Sequence, residues 1–318
     1  MISQILLFDQ PRSAAQLLRR IVSKQPNIEI RDNSFGRARG CQVQWLMGET
    51  WADGMSDGLQ TLFDLGVQGG VQKWRAAIQD AQETGKTLLL QDHPFSTASP
   101  AEVLRLIQNP SASDSEILET VAPSEKGGND PSHHKNFTSI PDDLLFPPGT
   151  VPVLTIRDPR LTVCSTYRVL AAMDLPHGSG RPNFLISTST LWIRRLYEAY
   201  RSRGIEPVVV DADDLMTSPE FARHLCSKLG LDPESACLSW KATSAEEKAK
   251  LHPMEYASQR FLIDSTGIDE SRAAKNQDME ALVQGWPAEF GEDVGLVREM
   301  VDFAMPHYQY LYERRFKF

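Results

Sequence analysis

Cysteine is scarce: the 318 residues hold four, Cys41, Cys164, Cys226 and Cys237, with no C-x-x-C pair and no metal-ligand spacing. In a chain of this size they read as buried thiols of a reducing compartment, which excludes a disulfide framework and a structural zinc site. Basic residues are outnumbered, 33 Lys and Arg against 42 Asp and Glu, a formal net charge of −9. That surplus repels phosphate backbones on average, so broad nucleic-acid binding is excluded while a local basic site is not. Long apolar runs are missing as well, and no stretch approaches the roughly 18 residues of a membrane span. Ile2 to Phe8 is apolar, but it has no basic lead and stops at Asp9-Gln10-Pro11, too short for a signal peptide. Without a secretory signal, Asn136-Phe137-Thr138 carries little weight as a glycosylation sequon. These absences predict a cytoplasmic protein with no membrane association. Walker A, G-x-G-x-x-G, H-E-x-x-H and G-x-S-x-G sequences do not occur either. An ATPase, a nicotinamide enzyme, a zinc protease and an α/β-hydrolase thereby lose their usual support.

What is present is ordinary globular usage, 41% hydrophobic and 24% charged, enough for a core of real size. Four continuous apolar runs, Ile5 to Phe8, Thr87 to Gln91, Val151 to Ile156 and Pro207 to Asp211, suit parallel strands covered on both faces. Helical patterns lie between and beyond them at Ala15 to Val22, Val71 to Thr84, Ala101 to Ile107, Thr162 to Met173, Ser189 to Arg203 and Pro219 to Leu229. Strands alternating with helices predict a doubly wound parallel sheet, a three-layer α/β domain. Ser99 and Glu102 form a capping-box pattern with Pro100 between them, and Gly204 and Gly230 mark helix ends. Residues Asn109 to Gly149, rich in Ser, Pro, Asn and Gly, read as a long loop or lid inserted in a single domain over 1–318. From Val283 onward the pattern is helical again, so a helical C-terminal part is expected against the sheet.

Three strand ends are chemically loaded. The first strand runs into Pro11-Arg12-Ser13, the second into Asp92-His93-Pro94, and the third into Arg157-Asp158-Pro159 and a helix bearing Cys164, Ser165 and Arg168. Ligands of open α/β sheets bind beyond such carboxyl ends. A strand–loop–helix turn offers backbone N–H groups to an anion there, to which Arg12 and Arg157 add charge.

At these residues the chain resembles the sulfotransferase family, whose fold is a P-loop-like α/β sheet. Pro11-Arg12-Ser13 is similar to the start of the family's first phosphate loop, Pro-Lys-Ser-Gly-Thr-Thr, often Pro-Arg-Ser-Gly in microbial members. Asp92-His93-Pro94 resembles the setting of its general-base histidine. Arg157-Asp158-Pro159 with Ser165 and Tyr167-Arg168 resembles its 3′-phosphate element, and Val210 to Leu215 with Leu229-Gly230-Leu231 its later strand, acidic turn and helix end. The likeness runs from the first strand to about residue 231, closest to fungal and bacterial sulfotransferase-like proteins of secondary metabolism. It implies a transferase moving a sulfuryl group from 3′-phosphoadenosine 5′-phosphosulfate (PAPS) to a hydroxyl or amine of a small molecule. By the same resemblance His93 takes the proton of that group and Arg12 stabilises charge on the bridging oxygen, while Arg12, Ser13, Arg157 and Ser165 bind the cofactor. Ala14 stands where the family has Gly, and Ala15 and Gln16 where it has Thr. Alanine takes positive φ poorly, and two lost hydroxyl bonds to a phosphate would cost about 1.5–3 kcal/mol each. Asp264-Ser265-Thr266-Gly267 with Lys275 stands in for the family's C-terminal Arg-Lys-Gly loop.

Two other readings stay open: an enzyme on the same fold that has abandoned PAPS and uses His93 for acid–base chemistry, and a non-catalytic binding protein. Each residue also has a structural alternative. His93 could cap a helix or pack under the lid. Arg157 could pair with Asp158 or Asp211, and Ser13 could be a plain helix N-cap. Cys164 reads as a core residue. His133-His134 has no further ligands, so no metal is expected. Trp45, Trp51 and Trp74 with Phe35 and Met47 read as core, although 37–58 could form a substrate wall. Adjacent strand residues point to opposite faces, so Asp92 is not expected to orient His93. That leaves the imidazole to be tuned by substrate or lid.

Overall fold

The four apolar runs become four strands of a five-stranded sheet in the computed structural model, which describes residues 2–32, 34–109, 136–171, 180–251 and 253–318. They are β1 (Gln4–Asp9), β3 (Thr87–Asp92), β4 (Thr150–Ile156) and β5 (Val208–Asp211). The fifth strand, β2 (Ile28–Arg31), lies at one edge in the order β2-β3-β1-β4-β5. All four pairings are parallel. β2 escapes the sequence reading because this edge strand, unlike β5 at the other edge, is not buried on both sides. Ile28-Glu29-Ile30-Arg31 is short and half exposed, and its Glu29 is bonded to Lys86 at 3.2 Å and to Arg31 at 2.8 Å. Charge on such an edge discourages further strand addition.

The two-residue period of the strands divides the core in two. Leu6, Phe8, Leu88, Leu90, Leu154 and Ile156 pack on one face with helices Gly36–Leu46, Asp57–Glu83, Pro159–Ala171, Arg181–Thr188, Leu191–Arg201 and Val294–Glu313. Ile5, Leu7, Leu89, Val153, Val208 and Val210 pack on the other with helices Ala15–Val22 and Pro219–Lys228. This is the three-layer, P-loop-like α/β architecture expected. Among the helices that go unread in the sequence, two pack on the first of these faces. Arg181–Thr188 is buried all round apart from Arg181, so it carries no amphipathic stripe. Gly36–Leu46 is interrupted by glycine and arginine, and it sits against the long helix through Gly66. A β-carbon on Gly66 would stand 2.7 Å from the Ala38 backbone nitrogen, so only glycine permits the approach.

Local punctuation behaves as the sequence implies, with one exception. Gly204 and Gly230 take φ of 72° and 70° just beyond their helices. Ser99 accepts the Glu102 N–H at 3.4 Å, but its own N–H goes to the Phe137 carbonyl at 3.1 Å. Glu102 therefore turns to Arg105 and Arg195 instead of closing a capping box. Much of the stretch read as a lid, with His133-His134, lies outside the described residues. Its end, 136–149, is packed rather than open: Phe137, Ile140, Leu144 and Leu145 are buried, and Ser139 donates to the Thr97 carbonyl at 2.7 Å. Asn136 is likewise occupied, accepting from the Thr138 N–H at 2.9 Å and donating to the Ile140 carbonyl at 2.6 Å.

The C-terminal helices Met279–Phe290 and Val294–Glu313 are tied to helix Pro159–Ala171 by Arg168–Glu289 at 2.6 Å and Tyr167–Asp293 at 2.5 Å. The Phe316 N–H then donates to the Val209 carbonyl at 2.8 Å, covering the outer edge of β5. Among the described residues, no helix is long and apolar enough to cross a membrane.

Candidate active site

The loop leaving β1 is bent by two residues that are not glycine. Arg12 and Ala14 take φ of 74° and 69°, a left-handed conformation costing about 1–2 kcal/mol apiece outside glycine. Ser13 between them shows how the loop is held. Its hydroxyl donates to the Gln10 carbonyl at 2.7 Å and meets Thr155 Oγ1 on β4 at 2.8 Å, while its N–H also reaches Gln10. Ser13 is thus a buried anchor beneath the loop, and Ala14 occupies the N-cap of helix Ala15–Val22 without a side-chain bond. Alanine thus takes the left-handed bend at the position where the resemblance implies glycine. The first N–H groups of that eight-residue helix point back toward the loop, as helix geometry requires.

Arginine converges on this turn. A cleft of about 230 Å³ is lined by Arg12, Ala14, Gln16, His93, Arg157 and Arg272, with Ser265 and Gly267 opposite. Arg12 Nε donates to Ser165 Oγ at 2.8 Å, and its Nη1 to the Ser258 carbonyl. Arg157 donates to the Arg272 carbonyl at 2.6 Å and the Arg12 carbonyl at 3.3 Å, while its buried Nε has no partner. Its sequence-level alternatives are taken: Asp158 pairs with Arg160 at 2.6 Å, and Asp211 accepts from Tyr308 at 3.1 Å. Burial first, then the neighbouring guanidinium groups of Arg157, Arg272 and Arg260, bring Arg12 down to about 10. Arg157 is brought to about 10 by burial and Arg272, against the pull of Asp213, Asp211 and Asp158. Like charges crowded against neutral carbonyls make a site that an anion would relieve.

His93 faces the same cleft, and its partner is Asp9. Phe8 pairs with Asp92 in the β1–β3 register, so the next residues outward, Asp9 and His93, share a face. His93 Nδ1 lies 3.1 Å from Asp9 Oδ1 and 3.2 Å from the Asp9 carbonyl. Gln91, two residues back on that face, donates to the same carboxylate oxygen at 3.1 Å and accepts from Gln16 at 3.0 Å. Burial opposes a charge on His93, but Asp9 and then Asp92 outweigh it and raise the imidazole to about 9. Asp92 instead bonds the His93 backbone N–H at 2.7 Å, and burial lifts its carboxyl to about 7. The imidazole is therefore tuned from within the sheet rather than by substrate or lid.

The structure brings Arg12, Arg157 and His93 together around one cleft, with Ser165 reaching it through Arg12 and Ser13 supporting it from below. Sequence reasoning missed Asp9, Gln91 and Arg272. Ser265 and Gly267 line the cleft as their stand-in role implies, but Lys275 does not supply the cation. Its backbone N–H is held by Asp213 at 2.9 Å, with that of Ala274 at 2.7 Å, and the same tie presents Arg272. Cys164 is buried and its thiol is pushed up to about 12 by burial, unsuited to nucleophilic work. Trp45, Trp74 and Phe35 are core, and Trp51 packs partly buried against them. Among the described residues, no group of three or more His, Cys, Asp or Glu could hold a metal.

Two measurements probe this geometry. Ala14→Gly removes the left-handed penalty at φ 69° and should raise unfolding stability by about 1 kcal/mol in a denaturant titration; a loss of stability would contradict the strained bend. In an NMR titration His93 should release its proton near pH 9. With Asp9→Asn the release should fall below the ordinary value of about 6.5, because burial then acts with less opposition. The stability from this pair is full below pH 6.5 and lost as pH rises through about 9. An unchanged titration in Asp9→Asn would show that the carboxylate does not control the imidazole.

No protein-family model matches the chain. The sulfotransferase ppzF of Metarhizium majus (strain ARSEF 297) is 30% identical over 259 residues, covering 77% of this chain and 74% of that protein. The sulfotransferase ppzF of Metarhizium rileyi (strain RCEF 4871) is 26% identical over 340 residues, covering 98% of this chain and 95% of its own length. A solved sulfotransferase domain from the curacin biosynthetic pathway aligns with 89% of this chain and 97% of its own at 14% identity and a TM-score of 0.39. On the strength of the Metarhizium majus relative, the chain belongs to the sulfotransferase family.

Proposed function

We infer that this transferase moves a sulfuryl group from PAPS to a hydroxyl or amine of a small molecule of secondary metabolism. The observation that carries the reading is the Arg12–Arg157–Arg272 cluster around the buried Arg157, whose Nε has no partner. Such an orphaned donor among crowded cations fits a phosphate group, and Arg157 and Arg12, oriented by Ser165, would hold it. PAPS would supply the activated sulfuryl group. The chain's own contribution is positioning and charge. Asp9 fixes the Nδ1 side of His93, which leaves the other ring nitrogen of the neutral imidazole to take the proton from the attacking hydroxyl or amine. Arg12 and the first N–H groups of helix Ala15–Val22 face the charge left on the bridging oxygen. Ala15 and Gln16 still replace two hydroxyls, and Gln16 is spent on Gln91. Those substitutions are what favour the second reading, His93 chemistry on this fold without PAPS.

Because the base must be neutral, kcat/KM should rise with pH and level off near 9. His93→Ala should cut turnover by about 10²–10⁴ with little change in melting temperature. Arg157→Ala should weaken binding of 3′-phosphoadenosine 5′-phosphate by at least about tenfold, the worth of one charged hydrogen bond, with an unchanged circular-dichroism spectrum. Retained binding in Arg157→Ala, or turnover within about threefold of wild type in His93→Ala on the same scale, would overturn the assigned roles.

A further inference from the structure

Behind the reacting edge lies a polar assembly that the arginine cleft does not use. Helix Gly36–Leu46 packs against the 94–96 turn and helix Arg181–Thr188. From it, Arg39 sets its guanidinium 4.6 Å over the Phe95 ring. Arg39 Nη2 donates to Asn183 Oδ1 at 2.7 Å and to Ser187 Oγ at 2.8 Å, both neutral, and its buried Nη1 has no partner. One turn along the helix, Gln42 is fully buried; its Nε2 donates to the Ala98 carbonyl at 3.0 Å and its Oε1 has no partner. Across from them Ser96 Oγ is buried and unpartnered too. Three such atoms on two facing segments are an expensive arrangement, each costing the desolvation of a polar group with nothing in return. The Phe95 ring that carries Arg39 is also stacked on His93, with centroids 5.3 Å apart and planes 8° from parallel. Arg39 therefore stands within two ring contacts of the proposed base, the span of a small molecule.

We propose that Arg39, with Ser96 and Gln42, receives the carboxylate end of the molecule that is sulfated, and that the hydroxyl or amine of that molecule reaches His93. This rests on the transfer reading above and adds the substrate class to it: acidic small molecules, with an N–H or O–H next to the carboxylate. Arg39 Nη1 and the Ser96 hydroxyl are the donors a carboxylate requires, and Gln42 Oε1 accepts from the neighbouring N–H or O–H. Asn183 and Ser187 hold the guanidinium in place without neutralising it. Burial brings Arg39 down to about 10, which leaves it charged at neutral pH and in want of a counter-ion.

The test uses the full chain and three acids, L-tyrosine, 4-hydroxymandelate and L-threonine, each with an N–H or O–H beside the carboxylate and a second hydroxyl, and each against its methyl ester. Calorimetry measures binding, and incubation with PAPS measures sulfated product. At least one acid should bind, about ten- to a hundredfold more tightly than its ester, the range of a charged hydrogen bond. Arg39→Gln should erase that preference and Arg39→Lys should restore part of it. Equal binding of acids and esters, or binding by none of the acids, overturns the subsite and leaves Arg39 a packing residue over Phe95. The wild-type comparison decides even if Arg39→Gln does not fold, and Gln42→Ala gives a second variant. Preferred binding of acids without any sulfated product would instead count against the transfer reading and leave the subsite standing. Product formed equally from acids and esters would do the reverse.

Discussion

Three guanidinium groups meet at the carboxyl edge of the sheet, and the hydrogen bonds of Arg12 and Arg157 go to carbonyl oxygens and the Ser165 hydroxyl rather than to carboxylates. Arg157 leans on the carbonyls of Arg12 and Arg272, and Arg12 leans on that of Ser258. Neutral oxygens satisfy hydrogen bonds but cancel no charge, so mutual repulsion and burial both bear on the cluster. Much of the surrounding structure serves to keep it assembled. Ser13 nails the β1 loop to β4, accepting two left-handed residues in the bargain. Asp213, two residues beyond β5, grips the backbone at Ala274 and Lys275, which fixes the segment that presents Arg272. Stored strain and unbalanced charge at one edge are characteristic of a site made to be completed by a ligand.

β3 divides the chemistry. Its residues alternate, so Gln91 and His93 look toward Asp9 and the arginine cleft, while Asp92 looks toward the helix that bears Arg39 and Gln42. The chain then turns through Pro94, and Phe95 joins the two sides by stacking on His93 and lying under Arg39. On the proposed reading, donor and proton chemistry would occupy one face and recognition of the other substrate the space behind it, a division that a two-residue period and one ring make possible.

Much of this was legible in the sequence where the physics is local. Four strands announce themselves because residues such as Leu88, Leu89 and Leu90 are buried on both faces and must be apolar without alternation. Arg12, His93 and Arg157 follow from where those strands end. What stays hidden depends on distance along the chain. Asp9 becomes the partner of His93 only once β1 is known to pair with β3 and in which register. Arg272 enters the site through a backbone tie to Asp213 that no side-chain pattern signals. Ser13 looks like a helix cap from its neighbours, yet its hydroxyl is claimed by Thr155, far away in sequence. Ala14 shows the opposite lesson: its identity argues against a bend that the surrounding contacts nevertheless impose.

The account stands on the arginine cluster being matched to a nucleotide that carries a 3′-phosphate. Calorimetric titration of the wild-type chain with 3′-phosphoadenosine 5′-phosphate and with 5′-AMP isolates that one group. The account predicts that the bisphosphate binds at least about tenfold more tightly, with an advantage that shrinks as salt is raised. Equal affinity for the two nucleotides, or no binding of either, would contradict it.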